Sequence, residues 1–401
     1  MDILFISTWF PYPPDNGSRI RIYNLLRALS REHTVHLISL LQDDSNPNNA
    51  QPLHDICRVV SVHKSRWFKP GTFKSFAGLF SSRPRSVVDT YLPEVASAVK
   101  RAIEDIRPDV IIASQIGAAE YVPSGTGIPV IIEEIELSNM WRRMETLNGL
   151  RHLRTSLTLG KHISYIRRLL QRCTVYTCVS ENEQNLIQLN CSPQARGFVI
   201  PNGVDVKHYH QADRQPDEAT LIYNGAITYS ANLDAVNYFA HDIYPILSMA
   251  VPNIKLRVTG RTDGVDTSGL SKCPGIDLVG YIDDIRDILR TSAVCVVPLR
   301  EGGGSRLKIL EAMAAGVPVV STSMGAEGIK AVHGTHILIA DTPAEFSAAV
   351  EKLLIDSDLA QTLAKNAIRL VTEQYDWHAI SAEFEHIIGL NVSSVKTSGC
   401  N

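Results

Sequence analysis

The stretch Gly302-Gly303-Gly304-Ser305-Arg306-Leu307-Lys308-Ile309-Leu310-Glu311-Ala312 constrains this chain more than any other. An apolar, β-branched run, Ala293 to Val297, precedes it with the length of a buried strand. Ala312 to Ala315 continues a helix after it. Gly316 is placed to cap that helix and Pro318 to stop it, and a second short strand, Val317 to Val320, follows. The unit therefore reads strand, glycine loop, helix, strand. Free backbone N–H groups and the dipole at the start of such a helix favour an anion. Glycines let the backbone approach a ligand closely, because no Cβ intervenes. Arg306 and Lys308 oppose the usual charge preference of a helix amino terminus, which calls for an anionic partner. Glu311, among cations, is suited to accept two ribose hydroxyls. Leu307, Leu310 and Met313 recur at helical spacing and read as core. The pattern describes a nucleoside diphosphate site; the competing reading is a solvated first turn after an ordinary glycine loop.

The remainder alternates in the same way. Strands are predicted at Ile3–Ser7, Val35–Leu41, Asp109–Ala113, Val130–Glu133, Val175–Val179 and Phe198–Ile200, with helices at Arg19–Arg31 and near Pro93–Asp105. A turn cluster, Pro201-Asn202-Gly203-Val204-Asp205, ends this series, and the polar stretch Lys207–Ala219 reads as a linker. A second series has strands at Leu221–Tyr223, Lys255–Thr259, Ile276–Val279 and His336–Ile339, and helices at Leu233–Leu247, Asp284–Arg290, Pro343–Leu354 and Asp358–Glu373. The expected fold class is α/β, two Rossmann-type parallel sheets facing a cleft. Residues 1–205 form the first domain and 206–375 the second. Residues 376–401 form a helix crossing back to the first domain, with a disordered tail. Ligands of such sheets bind beyond the carboxyl ends of the strands.

Composition sets outer limits. With 401 residues, 44% hydrophobic and 20% charged, the chain is long enough for two or three domains. A net charge of −3 argues against wholesale nucleic-acid binding. The seven cysteines are scattered with no CxxC pair, so neither a zinc site nor a disulfide framework is indicated, and a reducing cytoplasm fits. Asp2 and the short Ile3–Ile6 run argue against a signal peptide, and no run is long enough to span a membrane. No GxGxxG opens the first helix, which disfavours a nicotinamide dehydrogenase.

These motifs resemble those of the retaining glycosyltransferases of family 4, which have the two-domain GT-B fold. The carriers are residues 302–314, Gly316-Val317-Pro318-Val319-Val320, the hinge Ile200–Asp205, Val179-Ser180-Glu181 and Gly325-Ala326-Glu327-Gly328. The resemblance implies sugar transfer from a nucleotide diphosphate sugar with retained anomeric configuration, residues 1–205 forming the acceptor-side domain and 206–375 the nucleotide-sugar-binding domain. It implies that Glu311 holds the ribose, that Arg306 and Lys308 bind the diphosphate, and that Gly17 lies in a loop closing over the donor. Gly225, Gly303, Gly304 and Ser305 complete the implied donor set. Many members carry two glutamates separated by seven residues; the second maps to Glu311 and the first would fall at Gly303, with Glu301 two positions early. Backbone N–H groups of Gly303 and Gly304 are the expected substitute. The loop Tyr223–Tyr229 lacks the Arg and Lys that many members have there.

Sugar transfer needs charge stabilised on the leaving diphosphate, a task assigned to Arg306, Lys308 and the helix terminus. The absence of an Asp-x-Asp motif agrees with metal-independent transfer and no cofactor. Glu133, Glu134 and Glu136 cluster after a strand; if it persisted, Glu134 and Glu136 would share a side, and Glu136 is chosen as an acceptor-side or sugar-side contact. Basic and aromatic residues interleave from Lys64 to Arg85, and Arg142 to Arg172 is basic, a composition suited to anionic lipid headgroups and to a peripheral place on the inner membrane face. The acceptor is expected to be a glycan, a lipid-linked glycan or a small molecule. A nucleotide-sugar epimerase of the same fold and a non-catalytic sugar-nucleotide binder remain open.

Overall fold

The computed structural model describes residues 1–42, 51–145, 147–210, 214–302 and 306–398. The chain divides into two compact units. Unit one comprises Met1–Pro201 with Ile380–Asn401, and unit two comprises Asn202–Ala379.

Unit one is built on a seven-stranded sheet: β1 (Asp2–Ser7), β2 (Thr34–Leu41), β3 (Arg58–Lys64), β4 (Val110–Ser114), β5 (Val130–Glu133), β6 (Val175–Cys178) and β7 (Gly197–Val199). Their order is β3-β2-β1-β4-β5-β6-β7, and every pairing is parallel. Ile3, Leu4, Phe5 and Ile6 of β1 are essentially inaccessible, as are Ile111 and Ile112 of β4. Continuous apolar runs of this kind suit strands covered on both faces by helices. The edge strand β3 is absent from the sequence expectation, because Arg58-Val59-Val60-Ser61-Val62-His63-Lys64 is only partly buried and carries charge at both ends.

Unit two repeats the plan with β8 (Asp217–Asn224), β9 (Lys255–Thr259), β10 (Ile276–Gly280), β11 (Ser292–Val297), β12 (Val319–Ser321) and β13 (Leu338–Ile339). The order is β10-β9-β8-β11-β12-β13, again all parallel. Each unit encloses its own apolar core. The helix expected at Leu233–Leu247 is longer: Ser230–Tyr238 and Tyr244–Ala250 are joined by a π turn at Phe239–Ile243. The wide turn falls just before Pro245, whose ring and missing N–H disturb regular α geometry.

The polar stretch Lys207–Ala219 is not a linker. Val206–Tyr209 is a helical turn, and β8 begins at Asp217. The Arg214 guanidinium donates to the carbonyls of Gly316 and Ser292, tying this stretch to unit two. The crossing itself is stitched by backbone. Val204 N–H donates to Tyr375 O at 2.8 Å, and Trp377 N–H to Val204 O at 3.2 Å. The Asp376 carboxylate accepts from Val206 N–H at 3.1 Å. The last helix, Trp377–Ser398, starts there, and from Ile380 onward it belongs to unit one. Residues 399–401, at the tip of the tail expected to be disordered, lie outside the described residues.

Unit one contains a buried ion pair. Arg21 Nε donates to Glu133 at 2.5 Å, and both side chains are fully inaccessible. Ser114 Oγ donates to the other Glu133 oxygen at 2.8 Å, and Arg21 Nη1 donates to Pro201 O at 2.9 Å. Removing one partner leaves a buried charge without its counterion, a change that costs about 3–5 kcal/mol. Glu133→Ala is therefore expected to lower stability to urea by that order, and Arg21→Met with Glu133→Leu to recover most of it. Additive losses in the double variant would show that the pair is not coupled.

Candidate functional site

In unit two the chain moves outward from β8 through β9 to β10, then returns to β11 and moves the other way. The reversal lies between β8 and β11, where open parallel sheets bind ligands at the carboxyl ends of their strands. The helix Leu307–Ala314 follows β11 at this point. It closes as expected from sequence: Gly316 takes φ +72°, and Val317 N–H donates to Ala312 O at 2.8 Å.

Lys308 lies one residue inside that helix. Its Nζ donates to Asn232 Oδ1 at 2.7 Å and to Tyr223 Oη at 3.0 Å, and stands 4.5 Å from the centroid of the Tyr223 ring. Tyr223 Oη in turn donates to Asn232 Oδ1 at 2.7 Å. The ammonium is thus held by neutral groups. Burial, and then the charge of Arg306, bring its pKa down to about 7. Gly225 lies against it: a Cβ there would come within 3.0 Å of Lys308 Nζ and of Asn232 Nδ2. The absence of a side chain at 225 keeps that space open.

Glu311 stands almost one turn further along. Its carboxylate accepts from Tyr209 Oη at 3.1 Å and from the Asn224 side-chain amide. Asn224, the last residue of β8, accepts from Thr259 Oγ1, the last residue of β9, at 3.0 Å. Burial lifts the Glu311 pKa to about 7, against the opposing hydrogen bond from Tyr209 and the charge of Lys308. Two hydrogen bonds leave a carboxylate with further lone pairs, so both oxygens retain capacity to accept from a ligand. Tyr209, Tyr223, Asn224 and Asn232 are the residues sequence reasoning did not assign. Tyr209 lay in the supposed linker. The others lay near a loop noted only for its missing cations.

Arg306 is buried and precedes the helix. Its Nη2 donates to Met324 O at 2.8 Å and to Gly302 O at 3.2 Å, and lies 3.6 Å from Glu327. It therefore carries a structural duty absent from the sequence reading: it joins the ends of two loops. Gly302 bends the chain there at φ +95°, a conformation that disfavours side chains. The donor-set residues Gly303, Gly304 and Ser305 lie outside the described residues. Lys308, Glu311 and Gly225 are brought together in unit two, with Arg306 at the start of the same helix.

The other two sequence-assigned residues belong to unit one. Gly17 opens the helix Gly17–Leu29, whose first turn is capped by Asn16 Oδ1 accepting from Arg19 N–H at 3.1 Å. Glu136 is exposed and accepts from Asn139 Nδ2 at 2.6 Å. The expectation that Glu134 and Glu136 share one side of a persisting strand is not met, since β5 ends at Glu133. Glu134 adopts φ +59° and its N–H turns to Thr177 Oγ1 at 3.1 Å. It is also the more perturbed carboxylate: burial and the neighbouring Glu133 raise its pKa to about 7. Gln115, at φ +70° after β4, donates to it at 3.2 Å and accepts from Thr8 Oγ1 at 2.7 Å. Two non-glycine residues in left-handed conformations thus sit side by side beyond β4 and β5, a form of strain that collects at functional positions. Nearby, beyond β1 and β2, is a cavity of about 170 Å³ whose walls include Trp9, Gln42, Arg66, Trp67 and Tyr121. Among the described residues, no group of three or more His, Cys, Asp or Glu is placed to hold a metal ion.

Both units match known families. Residues 15–208 match the family described as Glycosyltransferase Family 4, and residues 218–356 match Glycosyl transferases group 1. The chain is 22% identical to an uncharacterized 44.6 kDa protein in the cps region of Klebsiella pneumoniae, over 93% of this chain and 96% of that one. Among solved structures it resembles sucrose-phosphate synthase from Thermosynechococcus elongatus, with a TM-score of 0.70 and 17% identity over 98% of this chain and 100% of the other. It also resembles Anabaena Alr3699/HepE in complex with UDP, with a TM-score of 0.66 and 16% identity over 97% and 100% of the two chains. The same Anabaena protein has been solved with UDP-glucose, a likeness with a TM-score of 0.62, 16% identity and coverage of 97% and 99%. With twin parallel sheets, a polar site at the strand reversal of the second and family matches along most of its length, the chain belongs to the family 4-like glycosyltransferases of the GT-B fold.

Proposed function

We propose that the chain transfers a sugar, with retention, from a nucleoside diphosphate sugar to a glycan, lipid-linked or small-molecule acceptor, without a metal ion. The observation that carries this reading is the placement of Lys308 and Glu311 on one helix at the β8–β11 reversal, each held by neutral side chains. Lys308 and the helix terminus supply fixed positive charge for a leaving diphosphate. Glu311 accepts from the two ribose hydroxyls. Tyr281, exposed beyond β10 with the Arg261 guanidinium 5.9 Å from its ring centroid, offers a face to the base. The Anabaena neighbour's complexes with UDP and UDP-glucose support a uridine donor. In unit one, the cavity walled by Trp9 and Trp67 suits the apolar face of an acceptor sugar, with Gln42 and Arg66 for its polar groups. Glu136 and Gly17 keep their proposed sugar-side and donor-loop roles. Retention fits front-face attack in which the diphosphate takes the acceptor proton, so no protein nucleophile is required.

Incubating the protein with UDP-glucose and a panel of sugar acceptors, in excess EDTA, tests the reaction. A product of retained configuration by NMR is expected. An inverted product, or turnover that needs Mg²⁺ or Mn²⁺, would refute the corresponding part. Conversion of the donor alone would instead mark an epimerase.

Glu311→Gln removes the charge from the ribose contact while keeping an acceptor for Tyr209. It is expected to weaken UDP binding by calorimetry about tenfold to a hundredfold, the range of a lost charged hydrogen bond. The melting temperature should move little. Unchanged affinity would take Glu311 out of the site.

A pH dependence follows from Lys308. Its pKa lies near 7 without ligand, and a bound diphosphate favours the charged form, so binding takes up a proton above neutrality. Glu311, also near 7, releases a proton on accepting hydroxyl donors only below neutrality, where it is protonated, so Glu311→Gln isolates the limb above 7 that belongs to Lys308. In Glu311→Gln, UDP affinity should therefore fall by up to about tenfold per pH unit as pH rises above 7. Adding Lys308→Met should abolish that slope. A slope that persists in the double variant would place the titrating group elsewhere.

A further inference from the structure

Unit one carries an exposed apolar surface that its core does not use. The short helix Phe73–Ala77 is capped by Thr72, whose Oγ1 accepts from Ser75 N–H at 3.0 Å. Phe73 and Phe80 are 85% and 84% exposed, and Phe76 is 59% exposed. The rings of Phe76 and Phe80 meet edge to face, with centroids 5.9 Å apart, so the aromatics form a cluster. A soluble surface seldom displays three phenylalanines together without a partner.

The long helix Gly149–Leu170 holds this segment. Lys161 Nζ donates to Leu79 O at 2.5 Å and to Gly78 O at 3.2 Å. Arg168, two turns on, donates to Ser82 Oγ and Ser82 O, each at 2.9 Å. The face of the helix that carries these two residues therefore lies along the segment. One and two turns before Lys161, the same face presents Leu157 and Leu153, which are 66% and 57% exposed. The aromatic cluster and the leucine stripe are consequently parts of one surface.

The exposed charges on the two segments, residues 66–89 and the helix Gly149–Leu170, are all cations. Arg66, Lys69, Lys74, Arg151 and Arg154 are exposed on these two segments. Other cations that composition alone would count are engaged in the fold: Arg85 donates to Ser75 O and Pro70 O, Arg83 pairs with Glu120, and Arg167 donates to Cys191 O. The side chain of Arg143 lies outside the described residues. The acid within the first segment, Asp89, is buried and accepts from Lys69 N–H and Thr72 Oγ1. A surface with aromatic and leucine side chains at its centre and lysine and arginine beside them matches a bilayer interface, with acyl chains beneath anionic headgroups. Among the described residues no helix is long and apolar enough to cross a membrane, so the attachment suits a protein lying on the surface.

We propose that Phe73, Phe76, Phe80, Leu153 and Leu157, flanked by Arg66, Lys69, Lys74, Arg151 and Arg154, form a seat for an anionic lipid bilayer. This inference rests on the surface of unit one and is independent of the donor reading. Sedimentation of the full-length protein with phosphatidylcholine vesicles, and with vesicles containing roughly 30% phosphatidylserine, tests it. Binding to the anionic vesicles is expected, with little binding to neutral ones and a loss at high salt. Phe73→Ser/Phe76→Ser/Phe80→Ser should lose most of the bound fraction. Lys69→Gln/Lys74→Gln/Arg151→Gln/Arg154→Gln should weaken binding by roughly fivefold per charge removed. All substituted side chains are exposed, and an unchanged circular dichroism spectrum and melting temperature in both variants confirm that they are folded. Equal sedimentation of wild type with neutral and anionic vesicles, or full binding by the triple phenylalanine variant, would overturn the proposal. So would a vesicle-indifferent dimer that the phenylalanine substitutions convert to monomer, since the occupant would then be a second copy of this chain.

Discussion

Both sheets impose the same restriction. A parallel strand covered by helices on both sides has no solvated face, so its interior positions are apolar throughout, as in β1, β4 and β11. Polar chemistry is displaced to the strand ends. The residues that build the site occupy such positions: Tyr223 and Asn224 at the end of β8, Thr259 at the end of β9, and Lys308 and Glu311 in the helix after β11. The place of the site is thus settled by how the strands are buried. Its chemistry is settled by which few polar side chains stand at that edge.

The two units handle buried charge differently. Glu133 in unit one has a guanidinium, a hydroxyl and full burial around it, so its charge is matched within the protein. Lys308 and Glu311 in unit two are surrounded by an amide, three phenolic or amide partners and each other's field, with no full counterion in direct contact. Their pKa values have drifted towards each other near 7 as a result. The first arrangement is complete without a ligand. The second is unfinished in the electrostatic sense, which is the condition under which a charged ligand gains most.

Much of this was legible from sequence, for reasons that can be named. The twin α/β series appeared because fully buried strands are unbroken apolar runs, and Gly316 with Pro318 marked the end of the key helix. Lys308 stood out because its charge sits where a helix start disfavours cations, and Glu311 because it lies among cations. What escaped was long-range. Nothing near Tyr209 in the chain signals that its hydroxyl reaches Glu311, and the polar stretch around Arg214 concealed bonds to Gly316 and Ser292. Arg306 read only as a phosphate ligand, because a single sequence cannot show that its guanidinium also reaches the carbonyls of Gly302 and Met324. Strand alternation would put Glu134 and Glu136 on one side, an expectation that fails once the chain turns through a left-handed residue at 134.

The neutral cradle of Lys308 has a consequence beyond binding. An amine whose pKa is close to 7 is substantially unprotonated at neutrality, whereas a solvated lysine is almost wholly charged. Its lone pair is then available while its neighbours Tyr223 and Asn232 hold it in one direction. The amine is therefore open to electrophiles at neutrality, and a diphosphate that restores the proton silences that reactivity.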